Sequence, residues 1–203
     1  MFKKKLTDRT KEYWQNAANS DKVMDYICTG YDEKEFQTSK DSIVFHSKMQ
    51  ITDQMTVLDL ACGIGRLCRF ISPLTKKYIG VDFIPEMIEK AREYNKEFSN
   101  AQFYINDGST LKMIEDSSID IAFCELAFQH MLKPIQKSYI NEIHRVLKQG
   151  SSFYVQIPKL DFYKDETYAR KESELPEMFK NFEIKYLPYY CDNAYFLIQA
   201  IKL

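Results

Sequence analysis

Residues Val57-Leu58-Asp59-Leu60-Ala61-Cys62-Gly63-Ile64-Gly65-Arg66 run from β-forming side chains through an acid into small residues and two glycines. A new apolar period (Leu67, Phe70, Ile71) follows. That order spells a buried strand, a tight turn and the start of a helix. Glycine opens backbone angles closed to other residues and lets a ligand approach the main chain. A nucleotide-like molecule therefore has a place at the carboxyl edge of a parallel strand. A dinucleotide fingerprint would ask for a third glycine, where this chain has Cys68. Asp59 at the strand end would repel a pyrophosphate and accept hydrogen bonds from a cation or an ammonium group. The ligand favoured is nucleoside-like, unphosphorylated and positively charged.

Five further residues extend the site. Asp82 ends the next strand, where a carboxylate can accept hydrogen bonds from both ribose hydroxyls; capping of the helix that begins near Pro85 is the other reading. Phe83 offers a flat face for a purine. Asp107 ends the third strand, before Gly108 and Ser109. It could accept from an adenine amino group while neighbouring main-chain amides meet ring nitrogens, or it could be a plain turn aspartate. Glu125, at the end of the fourth strand, could bind substrate or hold a loop, and is counted with the cofactor-binding residues. His130, just beyond, is the candidate general base because imidazole titrates near neutral pH; its alternative is a structural histidine bonded to a loop carbonyl. His46 and His144 read as helix-surface residues.

The elements that must position these groups are punctuated regularly. Strands are expected at 56–60, 77–82, 102–106, 119–124 and 152–157, and helices at 65–75, 85–98 and 135–148, the last stopped by Gly150. Strands alternating with helices imply right-handed crossovers and a doubly wound, mostly parallel sheet. Two β-rich runs, 181–190 and 194–202, joined by Cys191-Asp192-Asn193, read as an antiparallel hairpin closing the sheet, for seven strands in a Rossmann-like α/β fold. One domain is expected over 1–203. Residues 1–50 form an amino-terminal helical cap (helices at 8–30 and 38–50), 55–157 the ligand-binding core, and 158–203 an acceptor-side segment with the closing hairpin.

Composition narrows the classes. The formal net charge of −1 gives no attraction to nucleic-acid backbones. No apolar window is long enough for a membrane span, and nothing resembles a signal peptide. Five cysteines without a CxxC pair fit a reduced, cytoplasmic protein without structural zinc, and no metal site is expected.

Taken together, Val57–Gly65, Gly80-Val81-Asp82 with Met87-Ile88-Glu89-Lys90-Ala91-Arg92, Asp107, Phe128-Gln129-His130-Met131 and Glu142–Gly150 resemble the class I S-adenosylmethionine-dependent methyltransferases, in order and spacing over residues 55–157. The resemblance implies S-adenosylmethionine as cofactor. Asp59, Ala61, Gly63 and Gly65 would form the methionine-side loop, with both glycines against the ligand. Asp82 would bind ribose, Asp107 adenine, and Phe83 with Met87 would flank the ring. Ala61 stands where many members carry the first glycine. The chain lacks the Asn/Asp-Pro-Pro-aromatic motif of amino-methylating DNA enzymes at its fourth strand. The acceptor expected is a small molecule, methylated on oxygen or nitrogen, with Tyr13, Trp14 and Tyr163 as candidate contacts. A non-catalytic S-adenosylmethionine-binding module and a nicotinamide-dependent oxidoreductase are the rival readings. Oligomeric state is not legible.

Overall fold

The computed structural model describes residues 2–21, 23, 48–188 and 193–203 of the chain. Residues 22 and 24–30 of the expected 8–30 helix, nearly all of the 38–50 helix, His46, Tyr189, Tyr190 and most of the Cys191–Asn193 turn lie outside them.

Strands form where apolar β-formers can be covered on both faces. Thr56–Leu60 (β1), Lys77–Asp82 (β2) and Ile119–Cys124 (β4) are almost wholly buried, the pattern of central parallel strands. Ala101–Ile105 (β3), Leu147–Pro158 (β5), Phe182–Leu187 (β6) and Tyr195–Lys202 (β7) complete one seven-stranded sheet of order β3-β2-β1-β4-β5-β7-β6. β7 runs antiparallel to both β5 and β6, and the other pairings are parallel. The sheet is therefore α/β, mostly parallel and doubly wound, with an antiparallel carboxyl-terminal pair.

Side chains alternate between two apolar layers. Leu58, Leu60, Val81, Ala122 and Val155 face Lys133–Val146 (α4), through Tyr139, Ile140, Ile143 and Val146. Val57, Tyr78, Ile121 and Phe123 face the opposite way, toward Cys68–Ile71 (α2) and Pro85–Tyr94 (α3), through Cys68, Ile71, Ile88 and Ala91. A third, smaller cluster seats the amino-terminal helix Phe2–Asn19 (α1): Ala17 and Ala18 pack with Ile64, Ile84 and Met87, beside Trp14 and Phe83. Between β5 and β6 the chain forms two single-turn helices, Leu160–Tyr163 (α5) and Leu175–Met178 (α6).

Several boundaries differ from the sequence expectation. The 65–75 helix is one turn, α2, followed by a 3-10 turn at Ser72–Leu74 that accommodates Pro73. α3 stops at Tyr94 because Asn95 turns its amide back, donating to the Ala91 and Ile64 carbonyls. Gly150 does not stop α4. The helix ends at Val146, and Leu147 already pairs with Ile119 as the start of β5. Gly150, at φ +74°, lies where the β4–β5 register shifts between Ile119 and Ile121, and its left-handed backbone accommodates that irregularity. Among the described residues no helix is long and apolar enough to cross a membrane, and no group of three or more metal-ligating side chains occurs.

Candidate active site

The carboxyl ends of β1, β2, β3 and β4 open onto a cavity of about 350 Å³, lined by residues that include Asp59, Ala61, Gly63, Asp82, Phe83, Met87, Asp107, Gly108, Glu125 and His130. Trp14 closes it from α1. β1 and β4 are adjacent in an open parallel sheet, and their connections leave on opposite faces, so the crevice forms there.

The loop after β1 is folded by three left-handed residues, Ala61 (φ 61°), Gly63 (φ 55°) and Gly65 (φ 69°). Ala61 holds that conformation with a Cβ, which costs about 1–2 kcal/mol relative to glycine. Gly65 is not on the cavity wall, which corrects the expectation that it lies against a ligand. A Cβ there would come within 2.7 Å of Asn95 Nδ2 and Phe103 Cε1, so its task is close packing of the loop on α3 and β3. Gly80, in β2, has a similar role: a Cβ would meet Phe103 at 2.6 Å and Cys62 Sγ at 2.9 Å.

Asp82 joins this loop to β2. One carboxylate oxygen accepts from Gly63 N–H and the other from Ile84 N–H, both at 3.0 Å. The helix that follows has Ile84 as its N-cap residue and no side-chain cap, so Asp82 does not cap it in the sense of its alternative reading; each of its oxygens keeps a second lone pair for a ligand hydroxyl. Burial raises its pKa against the pull of those amides.

Asp59 is 3% exposed and accepts a hydrogen bond from the Tyr78 hydroxyl. Burial pushes its carboxyl up to about 8, against the opposing effects of the Tyr78 hydrogen bond and the Arg66 charge. At neutral pH it is a neutral acid with a latent charge.

Asp107 is largely engaged by its own turn. One oxygen accepts from Ser109 N–H, Ser109 Oγ and Thr110 N–H, and the other from Thr110 Oγ1. Slight desolvation is outweighed by these donors, and the carboxyl is held at about 2. The turn-aspartate reading therefore describes its contacts, with acceptor capacity left only on Oδ2. Gly108 (φ +80°) abuts the Phe83 ring, and Asn106 bridges to the buried Tyr139 hydroxyl at 2.9 Å.

Glu125 forms a buried ion pair with Arg66 (Nη2–Oε2 3.2 Å; side chains 3% and 7% exposed). His130 sits exposed at the rim, its ring edge-on to Trp14 at 5.1 Å. The protein beside the ring partly desolvates it and lowers its pKa, which favours the neutral imidazole. Its main-chain N–H donates to the Ala127 carbonyl, but no ring hydrogen bond is seen among the described residues.

Two expected acceptor contacts lie elsewhere. Tyr13 is 53% exposed, turned off the cavity with its ring edge-on to Trp14. Tyr163 packs edge-on against Phe162 and Tyr195, and its hydroxyl donates a hydrogen bond to the Tyr195 hydroxyl. Both follow from helical or aromatic packing that a sequence cannot orient. His144 packs edge-on to Phe182. Residues without an assigned sequence role that the structure adds to the site include Arg66, Ile84, Asn106, Leu126 and Tyr139 on its wall and Tyr78 behind Asp59. None of them had a local signal: Arg66 shares its stretch with Arg69, and only the fold places it against Glu125.

The comparisons with known proteins agree with this geometry. A family model described as a methyltransferase domain matches residues 51–192. YcgJ of Bacillus subtilis, described as an uncharacterized methyltransferase, is 30% identical over 173 residues, covering 78% of this chain and 67% of that protein. Its crystal structure superposes with a TM-score of 0.69 at 20% identity, over 79% of this chain and 97% of that one. A sterol 24-C-methyltransferase of Debaryomyces hansenii is 29% identical over 66% of this chain and 38% of its own length. A thiol S-methyltransferase of Rattus norvegicus is 28% identical over 51% and 42% respectively. The chain thus spans between about two fifths and two thirds of the length of these relatives.

Proposed function

We propose that this chain, which belongs to the class I S-adenosylmethionine-dependent methyltransferases, transfers a methyl group to an oxygen or nitrogen atom of a small-molecule acceptor. The observation that carries the reading is the convergence of three buried carboxylates, Asp59, Asp82 and Glu125, from three strand ends onto one cavity flanked by a glycine loop. S-adenosylmethionine fits that donor set. Asp59, latent and buried, suits the ammonium of its amino-acid end. Asp82 retains lone pairs for ribose hydroxyls, and Phe83 with Ile84 and Met87 makes an apolar slot for a purine. When bound, the cofactor supplies an already activated methyl group on a sulfonium centre.

The protein's own part is alignment and exclusion of water. Asp82 ties the β1 loop to β2, so the sugar-binding and amino-acid-binding walls keep a fixed spacing. Trp14, on α1, covers the cavity next to His130. An oxygen or nitrogen acceptor that carries a proton must lose it, and His130 is held neutral with its ring free of hydrogen bonds among the described residues, as a base requires. The named relatives act on sterol carbon and on thiol sulfur, so the fold serves several nucleophiles, and what supports an oxygen or nitrogen acceptor here is the neutral His130 on the cavity wall.

The test is calorimetric titration with S-adenosylmethionine and NADH, followed by transfer of labelled methyl to a panel of amines, phenols, alcohols and thiols. Binding of the sulfonium compound and label in an amine or hydroxyl compound is expected. Tighter binding of NADH, or label only in thiols, would overturn the proposal.

A further inference from the structure

Leu126 lines the cavity and, like Ala61, holds a left-handed backbone with a side chain. It is a bulky, non-glycine residue at φ 52°, a conformation that costs about 1–2 kcal/mol and persists only where its surroundings over-determine it. Two glutamine side chains do so. Leu126 N–H donates to Gln156 Oε1, and Gln129 Nε2 donates to the Leu126 carbonyl, each at 2.7 Å. Gln156 is wholly buried in β5, opposite Leu197 of β7, between the apolar Val155 and Ile157. A buried amide in such a strand is unfavourable unless its hydrogen bonds are made. Neither glutamine lines the cavity, whereas Leu126 and its neighbour Glu125 do.

We propose that Gln156 is a positioning residue for donor binding: by clamping the Leu126 peptide in its left-handed form, it holds the Glu125 carboxylate against Arg66 on the cavity wall. Without the clamp, Leu126 falls back to a negative φ, the peptide after Glu125 rotates, and the ion pair (Nη2–Oε2 3.2 Å) is lost. The inference rests on the reading of this cavity as the donor site.

A double-mutant cycle read by S-adenosylmethionine affinity tests it without any acceptor. Gln156→Leu and Glu125→Gln should each weaken binding about tenfold, the loss of one charge-assisted contact, and the double variant should bind no more weakly than Glu125→Gln. Gln156→Glu, which burial holds in its protonated form, still offers a carbonyl oxygen to Leu126 N–H and should stay within about threefold of the wild type. A multiplicative loss of about a hundredfold in the double variant, or unchanged affinity in Gln156→Leu, overturns the proposal. Should Gln156→Leu not fold, Gln129→Leu, which removes the bond at the Leu126 carbonyl, replaces it in the cycle with the same expectation. A crystal structure of the folded variant is the second arm: a negative φ at Leu126 and a broken Arg66–Glu125 contact are expected, and retention of both overturns the proposal whatever binds. If the wild type binds no S-adenosylmethionine, the donor reading fails, and the crystallographic arm still decides whether the clamp positions Glu125.

Discussion

Replacing Asp59 by Asn should abolish a proton release that accompanies donor binding. The carboxyl is 3% exposed, and burial pushes it up to about 8 from an ordinary 3.8. Ionising it in the empty cavity is therefore harder than in water by about 6 kcal/mol, an upper figure at 1.36 kcal/mol per pH unit. At pH 7 roughly nine in ten free molecules carry the proton. An ammonium group placed beside the carboxyl favours the charged form, so binding expels up to about one proton. Titration with S-adenosylmethionine at pH 7 in two buffers of different ionisation enthalpy reads this directly, because the observed heat differs by the proton count times the buffer difference. The wild type should release between about half and one proton, and Asp59→Asn, which still accepts from Tyr78, close to none from this site. The same group shapes stability. Its folded pKa lies above the unfolded one, so its contribution is complete below about pH 4 and is lost as pH rises through about 8. Thermal stability of Asp59→Asn should therefore gain on the wild type across that window. Equal binding heats in both buffers, together with parallel stability curves, would refute the assignment of a buried, protonated Asp59.

Other substitutions probe the remaining walls. Asp82→Ala should weaken S-adenosylmethionine binding by about 1–3 kcal/mol and also lower the melting temperature, because Gly63 and Ile84 N–H both lose their acceptor; unchanged affinity in a folded variant would sink the ribose role. Gly80→Ala forces a Cβ to within 2.6 Å of Phe103 and 2.9 Å of Cys62 Sγ, and overpacking of this kind should cost about 1–3 kcal/mol in chemical denaturation. His130→Ala should lower the transfer rate by about 10²–10⁴-fold while leaving donor affinity and melting temperature nearly unchanged. In the wild type, activity should rise with pH along a limb whose midpoint lies below the ordinary histidine value of 6.5, since burial lowers this pKa and the neutral ring is the active form. A pH-independent rate, or one that falls across that range, would remove His130 as the base.

Much of the fold was legible because central parallel strands must be apolar on both faces, and Val57–Leu60, Tyr78–Val81 and Ile119–Cys124 declare this in composition. Boundaries were less so. Gly150 reads as a helix stop on propensity alone, yet the pairing of Leu147 with Ile119 ends α4 four residues earlier. Asp82 and Asp107 look alike as acids at strand ends. Only contacts separate them, since one is buried between two amides of the ligand loop and the other is turned onto its own Ser109 and Thr110.

The sequence by itself determined the order of strands and helices, the glycine loop and the acids at the strand ends, because those depend on local backbone preference and on periodic burial. The tertiary structure alone decided what the acids are. Asp59 meets Tyr78, Glu125 meets Arg66, and Leu126 meets Gln156, partners 19, 59 and 30 residues apart. The strand order β3-β2-β1-β4-β5-β7-β6 brings them together. Charge state and strain depend on distance through space and on exclusion from water, and neither quantity is written in the spacing of residues along a chain.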